Sequence, residues 1–140
     1  MRDDMDGAGA MPATMAAVSR PAFPDRVLVV EDNLLIAMDI EDMMTAMGAG
    51  VVDVASSVAG AMAAIDAAAP DCAVLDVNLG AETSIPVAER LAAAGVPLLF
   101  VSGYGDGMVR PDALAGAPVI AKPFTGGAMA AAIRTLLSGD

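Results

Sequence analysis

Val27 to Asn33 reads VLVVEDN, four aliphatic residues running directly into two carboxylates and an amide. The run is too short for a membrane span, which takes about 20 apolar residues. Its β-branched valines favour an extended strand, so it predicts a strand in the core. Adjacent carboxylates at the exit of such a strand repel each other and resist leaving water unless a positive charge stands nearby. Glu31 and Asp32 are therefore either solvated or the holders of a cation.

The same pattern recurs along the chain. CAVLDVN (Cys72 to Asn78) is another buried run that delivers an acid, Asp76, at its end. VVDVA (Val51 to Ala55), VPLLFVS (Val96 to Ser102) and PVIAK (Pro118 to Lys122) complete five short strands. Between the first two, Ile36, Ile40, Met43, Met44 and Met47 recur at helical spacing, with Asp39 and Asp42 off that face and Gly48 to Gly50 as the stop. Met62, Ile65 and Ala69 mark a second helix closed by Pro70. Ser84 suits an N-cap and Pro86 a first turn, followed by a face of Val87, Leu91 and Ala94 that Gly95 ends. After Pro123 a last helix runs from about Thr125 through Met129, Ile133 and Leu136. Short apolar strands alternating with helices imply an α/β fold, a doubly wound parallel sheet with helices on both faces.

Composition narrows the chemistry. The 140 residues fit one domain, and with three Phe, one Tyr and no Trp against eleven Met, the interior must be small-residue and adaptable. A formal charge of -11 opposes binding to nucleic acid or to an anionic membrane. With no His, a Ser-His-Asp or Cys-His site, a His-ligated zinc and a histidine phosphodonor are all excluded. Carboxylates, hydroxyls and lysine remain. The lone Cys72 sits in an apolar run as a buried thiol, in keeping with a reducing cytoplasm. Residues 1–25 are rich in Ala, Met and Gly without sustained periodicity, and are expected to form a flexible extension with at most a short helix near Thr14 to Ser19. Asp3, Asp4 and Asp6 stand where a signal peptide would be basic, so neither a secretory signal nor a membrane helix is expected. The domain itself spans 26–140.

In open parallel sheets the ligand site lies at the carboxyl ends of the strands. Those ends carry Glu31 and Asp32, then Asp76, Ser102 and Lys122. Each is unremarked as a lone loop residue, but together they form a coherent set. Three carboxylates offer hard oxygen ligands to Mg²⁺, which keeps several waters and accepts few protein ligands plus phosphate oxygens. Asp76 is also the candidate nucleophile, since a carboxylate attacking phosphorus yields an acyl phosphate. Lys122 and the Ser102 hydroxyl would each take a phosphoryl oxygen. Asn78, two residues beyond Asp76, would offer its backbone carbonyl to the metal.

With those residues in place, VLVVEDN, AVLDVNLG, LLFVSGYG and IAKPF resemble, in order and spacing from Arg26 onward, the receiver domain of two-component response regulators. The resemblance implies a flavodoxin-like sheet in the order 2-1-3-4-5. It also implies that Glu31 and Asp32 bind Mg²⁺ and that Asp76 accepts phosphate from a histidine kinase or histidine phosphotransfer protein, with Ser102 and Lys122 reading it. FVSGYG is similar to a subgroup of stand-alone receivers with a Phe-Ala-Thr-Gly-type motif, in which the fourth helix is short or missing. The stretch GDGMVRPDALAGA (Gly105 to Ala117) is a poor helix by propensity, and a loop with at most a turn or two is expected there. Where many receivers carry an aromatic three residues before the lysine, this chain has Val119, so an aromatic switch falls to Tyr104. Position 102 holds Ser where the family more often has Thr.

The function expected from this resemblance is a cytoplasmic, monomeric, single-domain phosphoacceptor and not an enzyme. Its signal would pass to an unknown downstream protein, with no nucleic acid or membrane involved. Alternatives are a phosphate sink for a shared kinase, or a receiver-fold interaction module that works without phosphate. A haloacid-dehalogenase-type phosphatase would need a second acid where Asn78 stands. A flavodoxin-like cofactor binder would need a phosphate-cradling loop where EDNLLIA is acidic.

Overall fold

The computed structural model describes residues 23–103 and 111–138. Five strands, β1 (Arg26–Val30), β2 (Val51–Ala55), β3 (Cys72–Asp76), β4 (Leu98–Ser102) and β5 (Val119–Ala121), form one parallel sheet in the order β2-β1-β3-β4-β5. The helices are α1 (Leu34–Met47), α2 (Val58–Ala67), α3 (Ile85–Ala93) and α4 (Gly126–Ser138). A short 3-10 turn at Asp112–Leu114 precedes β5. That turn agrees with the weak helix propensity of Gly105 to Ala117, although 105–110 lie outside the described residues. The proposed extension 1–25 also falls outside them, except for its last three residues.

Strand alternation sorts the apolar residues onto two faces. Leu28, Val30, Ala73, Leu75, Leu98 and Phe100 point to one side and pack with Ala61 of α2 and Val87, Ala88 and Leu91 of α3. Val27, Val29, Cys72, Val74, Leu99 and Val101 point to the other, against Ile40 and Met44 of α1 and Met129 and Ile133 of α4. Both faces are covered, which is why the central strands read as continuous hydrophobic runs. Burial pushes the Cys72 thiol up to about 12, so it serves as a small core hydrophobe.

Local chemistry sets the helix ends. Asn33 caps α1, its Oδ1 accepting from Leu35 N at 3.0 Å and Ile36 N at 3.3 Å. Gly48 ends the same helix at φ 119, a left-handed conformation that glycine adopts without a Cβ penalty. Ser57 caps α2 by accepting from Gly60 N at 3.1 Å.

One sequence expectation holds in position but not in bonding, and two require correction. Ser84 occupies the N-cap position of α3, but its hydroxyl makes no cap hydrogen bond and lies buried without a partner, its backbone being near-helical instead of extended. Ala94 is exposed, and Ala88 takes the place expected for it on the buried face. Ala69 lies beyond α2, whose C-cap Ala68 is already extended, so the buried small residue of that helix is Ala61.

Candidate functional site

The site grows from the carboxyl edge of the sheet. In a parallel sheet every strand delivers its last side chain to the same edge, and here β1, β3 and β5 lead out to Glu31, Asp76 and Lys122. One carboxylate oxygen from each of Glu31, Asp32 and Asp76 lies within 4.8 Å of the others. Glu31 and Asp76 are buried, whereas Asp32 is exposed at the mouth. These acids share an open cleft of about 460 Å³ with Asn33, Ile36, Asn78, Gly80, Gly103 and Lys122.

Lys122 bridges the acids from the far side. Its Nζ stands 2.9 Å from Glu31 Oε1 and 3.0 Å from Asp76 Oδ2. Asn33 N donates to Glu31 Oε2 at 3.0 Å, and Asn78 N donates to Asp76 Oδ1 at 3.2 Å. Each buried carboxylate therefore has one oxygen fixed by a backbone N–H and the other facing the lysine. Burial dominates at Glu31 and, with the nearby Asp76, raises its carboxyl to about 7 against the opposing pull of Lys122 and the Asn33 N–H. Burial works the other way on Lys122, but the two acids outweigh it and hold the ammonium above its ordinary value.

This donor set fits a hard divalent cation. Glu31 Oε1 is fully buried and, although ion-paired with Lys122, accepts no well-directed hydrogen bond, so it keeps lone pairs for a ligand. Once Glu31 gives up its proton, the three carboxyl groups set against one ammonium carry a charge that one divalent ion would neutralise. All the acidic ligands are oxygens, with one of them open to water, the combination that suits Mg²⁺. The backbone carbonyl of Asn78 lies in the same loop. That loop is closed by the Asn78–Thr83 bridge, by Ser84 N donating to Val77 O at 3.0 Å, and by Gly80 at φ 84.

Of the residues expected at the site, Glu31, Asp32, Asp76, Asn78 and Lys122 line the one cleft. Ser102 ends β4 and is buried beside it, joined to the lysine strand by Lys122 N donating to Ser102 O at 2.9 Å, while its neighbour Gly103 forms the cleft wall. Tyr104 lies outside the described residues. Two contributors escaped the sequence reading. Asn33 both caps α1 and orients Glu31, a role signalled by an amide directly before the apolar helix. Gly80 brings its backbone close to the acids, and a Cβ there would stand 3.8 Å from Asp32 Oδ2.

Comparison with known proteins agrees with this geometry. The response regulator receiver domain model matches residues 27–134. The phyllosphere-induced regulator PhyR of Methylorubrum extorquens is 30% identical over 141 residues, covering 98% of this chain and 50% of that protein. The transcriptional regulatory protein PdtaR of Mycobacterium tuberculosis is 29% identical over 107 residues, covering 74% of this chain and 52% of that protein. The chain thus spans about half the length of the curated relatives it matches. Among solved structures, SdrG from Sphingomonas melonis Fr1 is 42% identical with a TM-score of 0.69, covering 80% of this chain and 95% of that one. A response regulator receiver protein from Burkholderia phymatum is 30% identical at the same TM-score, covering 81% and 94%. Among the described residues no helix is long and apolar enough to cross a membrane. Because the match runs through all five strands and takes in the strand-end acids and lysine, the chain belongs to the response regulator receiver domain family.

Proposed function

We propose that this receiver accepts a phosphoryl group on Asp76 in a Mg²⁺-dependent reaction, from a histidine kinase or histidine phosphotransfer protein, and signals by binding another protein. The observation that carries the reading is the convergence of Glu31, Asp32 and Asp76 beside Lys122 in an open cleft. Glu31 and Asp32, with Asp76 and the Asn78 carbonyl, would hold the metal. When bound, Mg²⁺ neutralises phosphoryl oxygens and lets anionic partners approach.

The chain's own residues do the rest. An Asp76 carboxylate oxygen attacks phosphorus, the O–P bond forms as the donor's N–P bond breaks, and the freed imidazole nitrogen takes a proton from solvent. Lys122, already on Asp76 Oδ2 at 3.0 Å, shifts its ammonium to an oxygen of the new phosphoryl group. The Ser102 hydroxyl takes another, drawing the end of β4 toward the site.

Beryllofluoride, a phosphoryl mimic, tests this through fluorine NMR. A bound signal should require Mg²⁺ and vanish in Asp76→Asn, with Asp32→Ala needing far more metal. A signal that persists without Mg²⁺, or in Asp76→Asn, would overturn the assignment.

A further inference from the structure

Glu82 stands at the tip of the loop between Asp76 and α3, yet its carboxylate reaches away from the cleft. Its Oε2 accepts from Val58 N at 2.9 Å, at the first residue of α2. That helix already has a side-chain cap in Ser57, which serves Gly60 N. Glu82 therefore ties down a second free N–H, where the helix dipole favours a negative charge. Val58 and Glu82 are 24 residues apart, so the bond joins two separate segments.

The other end of the connection is the nucleophile. Glu82 O accepts from Leu79 N at 2.9 Å, Thr83 bridges back to Asn78, and Asn78 N donates to Asp76 Oδ1 at 3.2 Å. Asn78 Oδ1 also holds Gly80 N at 3.1 Å. Leu79 anchors the base of the loop in the core, while the Glu82 side chain fixes its tip to α2. A loop fixed at both ends keeps the Asn78 N–H on Asp76, and keeps the Asn78 carbonyl at a constant place near the acids.

We infer that Glu82 is a positioning residue. By clamping the loop to the N-terminus of α2, it holds Asn78 in place for the metal and orients the Asp76 carboxylate for attack. This rests on the phosphoacceptor reading of Asp76. The requirement on residue 82 is a hydrogen-bond acceptor of the right length, and charge is secondary.

Calorimetric Mg²⁺ titration of the full chain tests it, alongside the rate of phosphorylation by acetyl phosphate. Glu82→Ala should weaken Mg²⁺ binding by about tenfold, the usual scale for losing a group that orients metal ligands, and slow phosphorylation at limiting Mg²⁺. Glu82→Gln, whose amide oxygen still accepts from Val58 N–H, should bind Mg²⁺ like the wild type. Ser57→Ala removes the other α2 cap without touching the loop, so it should lower the melting temperature and leave Mg²⁺ affinity unchanged. Wild-type affinity in Glu82→Ala would overturn the inference, as would equal losses in the Ala and Gln variants or a matching loss in Ser57→Ala. Failure of the wild type itself to bind Mg²⁺ or take phosphate would instead refute the phosphoacceptor reading.

Discussion

Lys122 Nζ stands 3.0 Å from Asp76 Oδ2, so without metal the only cation that lines the cleft among the described residues lies directly on the candidate nucleophile. Lysine and a divalent ion compete for the same negative charge. Removing the ammonium leaves Glu31 and Asp76 to repel each other, at a cost of about 1–3 kcal/mol once the partial exposure of Lys122 is allowed for. Lys122→Met should therefore melt lower than the wild type without metal, yet gain more from Mg²⁺. Thermal unfolding across a Mg²⁺ series measures both, and a gain no larger than that of the wild type would show that the lysine does not oppose the metal.

The raised carboxyl of Glu31 links metal binding to pH. With its folded value near 7 and its ordinary value at 4.5, the metal-free folded chain holds a proton there that the unfolded chain releases. This contribution to stability is fully present below about 4.5 and disappears as pH rises to about 7. Metal binding has the opposite slope, because Mg²⁺ must displace that proton. Mg²⁺ affinity should climb between pH 6 and 8 and level off once Glu31 is ionised, as about 7 for its titration requires. Calorimetry in buffers of different ionisation heat would detect the released proton, and Glu31→Gln should bind Mg²⁺ weakly and without that release.

Two serines at helix N-termini should respond oppositely to the same substitution. Ser57 accepts from Gly60 N at 3.1 Å, so Ser57→Ala should cost about 1 kcal/mol. Ser84 buries a hydroxyl that finds no partner, so Ser84→Ala removes a desolvated polar group and should be neutral or stabilising. Urea denaturation of both variants decides the matter. A loss in Ser84→Ala as large as in Ser57→Ala would mean that the Ser84 hydroxyl is satisfied in solution.

Much of this architecture was legible in the sequence because strands covered on both faces leave an unbroken apolar run, and an acid at the end of such a run needs a reason. VLVVEDN and CAVLDVN carried that signal directly, and the acids they deliver meet in one cleft. Other features depend on partners far along the chain. Nothing near Glu82 in sequence indicates that it reaches Val58, and nothing near Gly80 indicates that its loop folds back to within reach of Asp32. Ser84 illustrates the opposite failure, in which residue type and position both suggest a cap but the local backbone angles turn the hydroxyl away from it. Ala88 and Ala94 differ in burial because α3 ends at Ala93, a boundary that alanine-rich sequence does not mark.

The most direct measurement of the central claim is phosphate incorporation from acetyl phosphate, with and without Mg²⁺, followed by mapping of the modified peptide. Labelling should require Mg²⁺, reside on Asp76 and be absent in Asp76→Asn. Labelling that survives chelation or the Asp76→Asn substitution would contradict it. So would a wild-type chain that accepts phosphate neither from acetyl phosphate nor from a phosphorylated histidine kinase, leaving a receiver fold that binds its partners without phosphate.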